Sequence, residues 1–291
     1  MPERHSSKIS RVRMGDGASI CVKMISEDAT SPKPLLVSLH GAPGLSTHRE
    51  PEASFSFLSK TFRVLVYDAR GSGASDHQEP FSHERWVQDL ENLRIWAGAE
   101  TFVLTGASYG TYVALEYAIL YPARLQALIL RGPWANGKIG PMNALANILV
   151  SDRANVDVAR QVRAWSGPLR NDHNFKDAVV NLYHSSRLQK TIQPRLHAPP
   201  NRPSFKDRLS FIQAHITTPS LRTCHALMCV PTLLVVGRHD YITPVEYSQE
   251  IAKSISHARL EIFEYSGHSP PSDEPAKFEE IVLDFLQTEV L

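Results

Sequence analysis

The chain has 291 residues, 42% of them hydrophobic, with 31 basic against 30 acidic side chains and a formal charge of +1. That length suits one α/β domain with an insertion, or two small domains. The near-zero charge gives no reason to expect nucleic acid or a membrane surface as partner, and no apolar run approaches the roughly 18 residues of a transmembrane helix.

The start, Met1 to Ser10, is polar and lacks the apolar stretch of a signal peptide, and Thr288 to Leu291 matches no retention or peroxisomal signal. A soluble, cytoplasmic protein is expected. Cys21, Cys224 and Cys229 lack the second half-site of a metal motif and read as free thiols, so no metal is expected.

Ile9 to Met14 and Ser19 to Ile25 read as strands joined by Gly15-Asp16-Gly17, a hairpin signal. Leu35 to Leu39 is a compact apolar strand ending in His40-Gly41-Ala42-Pro43-Gly44. A short helix is expected near Glu52 to Lys60. Phe62 to Tyr67 is a buried strand, ending at Asp68-Ala69-Arg70-Gly71-Ser72-Gly73. Ser82 to Ala97 is a helix, with Ser82 and Glu84 suited to its first turn and Trp86, Leu90, Leu93 and Ala97 on one face.

A strand at Thr101 to Thr105 and a helix at Tyr112 to Tyr121 flank Gly106-Ala107-Ser108-Tyr109-Gly110. Further strands are expected at Leu125 to Leu130, Thr232 to Val236 and Arg259 to Phe263. Helices are expected from Pro244 to Ser254, with proline in the first turn, and from Asp273 to Leu286. Short apolar strands alternating with amphipathic helices imply an α/β fold: a mostly parallel, doubly wound sheet with an antiparallel hairpin at its edge.

One region breaks the alternation. Residues 133–227 show no clear strand and read as an inserted, mainly helical cap; 1–132 and 228–291 form the core. The insertion contains no glutamate and carries thirteen basic against five acidic side chains, a balance of +8. Two readings stand: a solvated face paired with an acidic core surface, or a positive lid favouring an anionic or acyl substrate.

G-x-S-x-G between a strand and a helix describes a nucleophile elbow, where flanking glycines let strand and helix approach closely and the serine is pushed out of the sheet. A serine hydroxyl needs a base in reach, and the base needs an orienting acid. In open α/β sheets, functional groups collect after the carboxyl ends of strands. That criterion selects Ser108, Asp240 and His268, in the order Ser, Asp, His. Ser108 is the expected nucleophile, His268 the base, and Asp240 the acid that fixes the imidazole tautomer. Asp273 is the second candidate for the acid, more simply read as the N-cap of the last helix. The expected oxyanion donors are the Tyr109 amide and the Ala42 amide, with Gly41 as second choice; His40 braces that loop. No cofactor is needed.

These motifs, with Gly237-Arg238-His239-Asp240 and Gly267-His268, resemble the α/β-hydrolase superfamily, and within it the proline iminopeptidase-like branch, which carries an H-G-G-P-G loop. The resemblance covers about residues 10–132 and 229–288. Ala42 stands where the branch has its second glycine, and Tyr109 where its peptidases have tryptophan. Those peptidases bind the substrate's ammonium group with acidic side chains, including cap glutamates, and this cap has none.

The resemblance implies a cofactor-free serine hydrolase acting on a small ester, thioester or lactone. Alternatives are a proline iminopeptidase-type aminopeptidase, a C–C bond hydrolase, and a non-hydrolytic biosynthetic enzyme or small-molecule receptor on the same fold. Epoxide hydrolase and dehalogenase relatives use aspartate where Ser108 stands. The oligomeric state is not legible.

Overall fold

A computed structural model describes residues 6–26, 33–135, 140–150, 157–166, 230–255 and 257–291. The chain opens with strands β1 (Ser6–Arg13) and β2 (Ser19–Ser26). They pair antiparallel around a turn in which the Met14 amide donates to the Ala18 carbonyl and the Gly17 amide to the Met14 carbonyl. Gly17 sits at φ +90°, where a side chain would be strained.

Then follow β3 (Leu35–Leu39), α1 (Arg49–Phe55) with a 3₁₀ turn behind it, and β4 (Arg63–Tyr67). Next come α2 (His83–Trp96), β5 (Phe102–Ala107), α3 (Tyr109–Leu120) and β6 (Leu125–Arg131). The Ser82 hydroxyl caps α2, accepting from the Arg85 amide.

Of the insertion expected at 133–227, the described part holds α4 (Gly140–Val150) and α5 (Val158–Ser166). Its proline-rich stretch, Cys224 and most of its basic side chains lie outside the described residues, as does Cys229. The Asn143 amide of α4 donates to the Tyr247 hydroxyl at 2.6 Å. The chain closes with β7 (Thr232–Gly237), α6 (Val245–Ser254), β8 (Ala258–Phe263), α7 (Pro270–Asp273) and α8 (Pro275–Glu289).

Two expectations need correcting here. Pro244 precedes α6 as its N-cap instead of lying in the first turn. Asp273 does not cap the last helix: that helix starts two residues later with Glu274 at its N-cap, and Asp273 ends the separate short helix α7.

Among the described residues the strands form one sheet in the order β1-β2-β4-β3-β5-β6-β7-β8. Pairings from β4 to β8 are parallel, and β1 and β2 supply the antiparallel edge. Alternation along the strands feeds two cores. Leu35, Val37, Leu104, Leu128, Leu130 and Leu234 meet α2, α3 and α6 on one face. Leu36, Val103, Ile129, Leu233 and Val235 meet α1 and α8 on the other. Burial on both faces is why these strands read as nearly continuous apolar runs.

The chain steps from β3 outward to β4, then returns to β5 on the other side of β3. Loops leaving adjacent parallel strands in opposite directions open a crevice at this switch point. The loop after β3 is His40–Gly44, and the residue after β5 is Ser108. Among the described residues no helix is long and apolar enough to cross a membrane.

Candidate active site

Ser108 sits between β5 and α3 at φ +51°, ψ −122°. A β-carbon on Gly106 would lie 2.6 Å from the Gly110 carbonyl oxygen, and one on Gly110 would lie 2.5 Å from the His40 carbonyl oxygen. Neither position admits a side chain, so strand and helix meet more closely than any other residue allows. The Ser108 amide donates to the Arg131 carbonyl at 2.8 Å, and its own carbonyl accepts from the Thr111 amide and hydroxyl.

The loop after β3 lies directly on the serine. A β-carbon on Gly41 would be 3.1 Å from Ser108 Cβ and 3.7 Å from Oγ. The next residue, Ala42, has φ +37°, a left-handed angle uncommon for anything but glycine. Its carbonyl accepts from the Leu45 and Ser46 amides, which folds the loop back. The Tyr109 amide, at the first position of α3, has no acceptor within the helix, as any first-turn amide. The Tyr109 ring is buried, and its hydroxyl lies 2.6 Å from His83 Nε2.

His40 is buried, with both ring nitrogens on backbone. Nε2 accepts from the Ala69 amide at 3.0 Å, and Nδ1 donates to the Gly41 carbonyl at 2.6 Å. Burial pushes its pKa below the ordinary imidazole value, outweighing the Gly41 bond and the Asp68 charge. The unfolded chain therefore takes up this proton more readily than the folded one. The stability that His40 contributes is complete above the unfolded value of about 6.5 and is lost as pH falls below it. Thermal melts from about pH 8 to about pH 5 should show this loss, with a shallower one in His40→Gln. Equal slopes would refute the assignment.

Asp240 and His268, 28 residues apart, come together: His268 Nδ1 donates to Asp240 Oδ2 at 2.7 Å. The other Asp240 oxygen accepts from the Ile242 and Thr243 amides, both at 2.9 Å, and the Thr243 hydroxyl donates to Oδ2 at 2.7 Å. The carboxylate is thus fixed on both oxygens, and the imidazole keeps the lone pair on Nε2. Gly132 packs against this pair: a β-carbon there would be 3.3 Å from His268 Cε1 and 3.4 Å from Asp240 Oδ2. The corner Arg131–Gly132 therefore touches the Ser108 amide on one side and the Asp240–His268 pair on the other. Among the described residues Ser108 Oγ makes no hydrogen bond to the imidazole; such contacts commonly tighten only when substrate is bound.

Asp273, the second candidate for the acid, accepts from the Gly267 amide at 2.9 Å instead. Burial raises its pKa above the usual carboxylate range. Glu274 holds the same loop through the Tyr265 amide and the Ser266 hydroxyl.

Reasoning from sequence missed Thr243, Glu50 and Arg131. Arg131 is the one charged residue of its strand, stands at its end and is 5% exposed. Its guanidinium donates to the His268 carbonyl at 3.2 Å and pairs with Glu50 of α1. Burial pulls its pKa down to about 10, against the attraction of Asp240 and Asp273. A lone charge at the end of a buried strand was the available signal. Among the described residues no three His, Cys, Asp or Glu side chains gather as a metal site.

Comparison with known proteins agrees with the fold. Residues 34–275 match the family model described as alpha/beta hydrolase fold. The proline iminopeptidase PfmaB of Pestalotiopsis fici is 31% identical over 266 residues, which cover 87% of this chain and 91% of that protein. A proline iminopeptidase of Saccharolobus solfataricus is 31% identical over 271 residues, 86% of this chain and 84% of that one. The solved structure of VinJ superposes with a TM-score of 0.73 at 25% identity, over 99% of this chain and all of the other. The chain belongs to the α/β-hydrolase superfamily, in its proline iminopeptidase-like branch.

Proposed function

We propose that this hydrolase cleaves a small ester, thioester or lactone through an acyl-enzyme on Ser108. The observation that carries the reading is the 2.7 Å Asp240–His268 bond, set against the same Arg131–Gly132 corner that holds the Ser108 amide. His268 Nε2 takes the serine proton as Oγ attacks the acyl carbon, then returns it to the leaving group. The same nitrogen next takes a proton from water, which attacks the acyl-enzyme, and returns it to Ser108 Oγ as the acyl–oxygen bond breaks and the acid leaves. Asp240 holds the tautomer and stabilises the imidazolium. The Tyr109 and Ala42 amides receive the negative charge on the carbonyl oxygen, each such donor being worth about 3 kcal/mol in the transition state. The basic balance of residues 133–227 favours a carboxylate-bearing or otherwise anionic acyl group.

A second reading, removal of an N-terminal proline, is favoured by the names of the two relatives above. The absence of glutamate from residues 133–227 weighs against it. A fluorophosphonate probe and a panel of p-nitrophenyl esters, lactones and Pro-p-nitroanilide separate the readings. The wild-type chain is expected to be labelled and to turn over esters or lactones fastest. Absence of labelling would sink the activated serine, and faster turnover of Pro-p-nitroanilide would reverse the order.

A further inference from the structure

The proposed chemistry makes no use of the Arg131 guanidinium, yet this is the side chain that links the separate parts of the site. Its main-chain carbonyl accepts from the Ser108 amide at 2.8 Å. Its side chain donates to the His268 carbonyl at 3.2 Å and reaches the Ser269 hydroxyl at 3.5 Å. Its other terminal nitrogen pairs with Glu50, in the first turn of α1, the helix that the loop carrying Ala42 runs into. Nucleophile, base and oxyanion loop come from three distant parts of the chain, and one residue bonds to all three neighbourhoods.

Stability does not explain an arginine here. A buried ion pair costs desolvation, and apolar side chains of similar volume are often as stable or more so. A guanidinium, however, presents several donors in a rigid fork, so it can fix two elements at one spacing. The loop bearing His268 is held from its far side by Asp273 on the Gly267 amide and by Glu274 on the Ser266 hydroxyl. On the β6 side, it is held by Arg131.

We infer that Arg131, braced by Glu50, is a positioning residue that holds His268 in register with Ser108. It touches neither substrate nor reacting atoms. The inference rests on the serine hydrolase reading above, and the two fail in different ways.

The test compares wild type, Arg131→Met, Arg131→Lys and the apolar pair Arg131→Met with Glu50→Leu. The readouts are kcat and KM on a p-nitrophenyl ester, the fluorophosphonate labelling rate, and the thermal midpoint. Arg131→Met is expected to lower kcat and the labelling rate by about 10²-fold, the scale of a misplaced catalytic group, while KM stays within about threefold. Arg131→Lys, which reaches one partner but not both, should recover part of the rate. The apolar pair leaves no buried unpaired charge, so its thermal midpoint should recover while kcat stays low.

A merely structural arginine would give the opposite: rate would return with stability in the apolar pair. That outcome overturns the inference, as does wild-type kcat in any folded variant lacking the guanidinium. Should Arg131→Met fail to fold, the apolar pair and Glu50→Ala still report, since both break the bridge to α1. Loss of labelling in the wild type would remove the serine hydrolase reading and this inference with it. Labelling of the wild type and Arg131→Met at equal rates would remove this inference alone.

Discussion

Ser108→Ala is expected to lower kcat by a factor on the order of 10⁶, and His268→Ala by about as much. The double variant should be no worse than either alone, because nucleophile and base act as one unit. Asp240→Asn should lose less, about 10⁴-fold, because it keeps the shape of the site but presents the wrong partner to His268 Nδ1. The fixed carboxylate explains the size of that loss. Ile242, Thr243 and the Thr243 hydroxyl hold Asp240 in place, so an amide there cannot turn freely to suit the ring. Steady-state kinetics on the best ester from the panel measures all four values. Additive losses in the double variant, or a His268→Ala protein with near wild-type turnover, would remove His268 from the proposed role.

The largest effect on stability is expected away from the site. Arg70, in the loop after β4, is wholly buried and forks onto Asp89 of α2 through two bonds of 2.8 Å. Asp16, in the turn between β1 and β2, meets the same guanidinium at 2.8 Å. Burial works against the charged group, but the bonds to Asp89 and Asp16 prevail and hold its pKa above the ordinary arginine value. Asp89→Ala leaves a buried cation with one partly exposed counterion, so the unfolding free energy should fall by about 3 kcal/mol or more. Urea denaturation reads this directly. Replacing the pair together, with Arg70→Met and Asp89→Leu, should return much of the loss. An unchanged midpoint in Asp89→Ala would show that Asp16 and solvent suffice.

The central strands β3 to β7 were legible because each is a mostly apolar run buried on both faces, while the edge strands showed through the hairpin turn and their β-branched residues. Boundaries shifted where pairing continued past the run: β5 extends through Gly106 and Ala107 because they still pair with Leu130 and Arg131 of β6. Ser108, Asp240 and His268 were legible as residues that follow strands. Asp273 was misread because an acid at the start of the last helical run looks like its cap, whereas the chain uses it on the Gly267 amide. Arg131 was not legible as a member of the site. Its partners Glu50 and His268 are 81 and 137 residues away, and no local pattern relates them.

Two residues other than glycine, Ala42 and Ser108, adopt left-handed backbone angles among the described residues, and they flank the same crevice. Each such angle typically costs about 1–3 kcal/mol, a cost that glycine would avoid. A lineage released from any demand on this crevice would gain stability by drifting to glycine at position 108. On the proposed reading, Ser108→Gly exchanges the hydroxyl for a relaxed backbone, so stability should rise as turnover is lost.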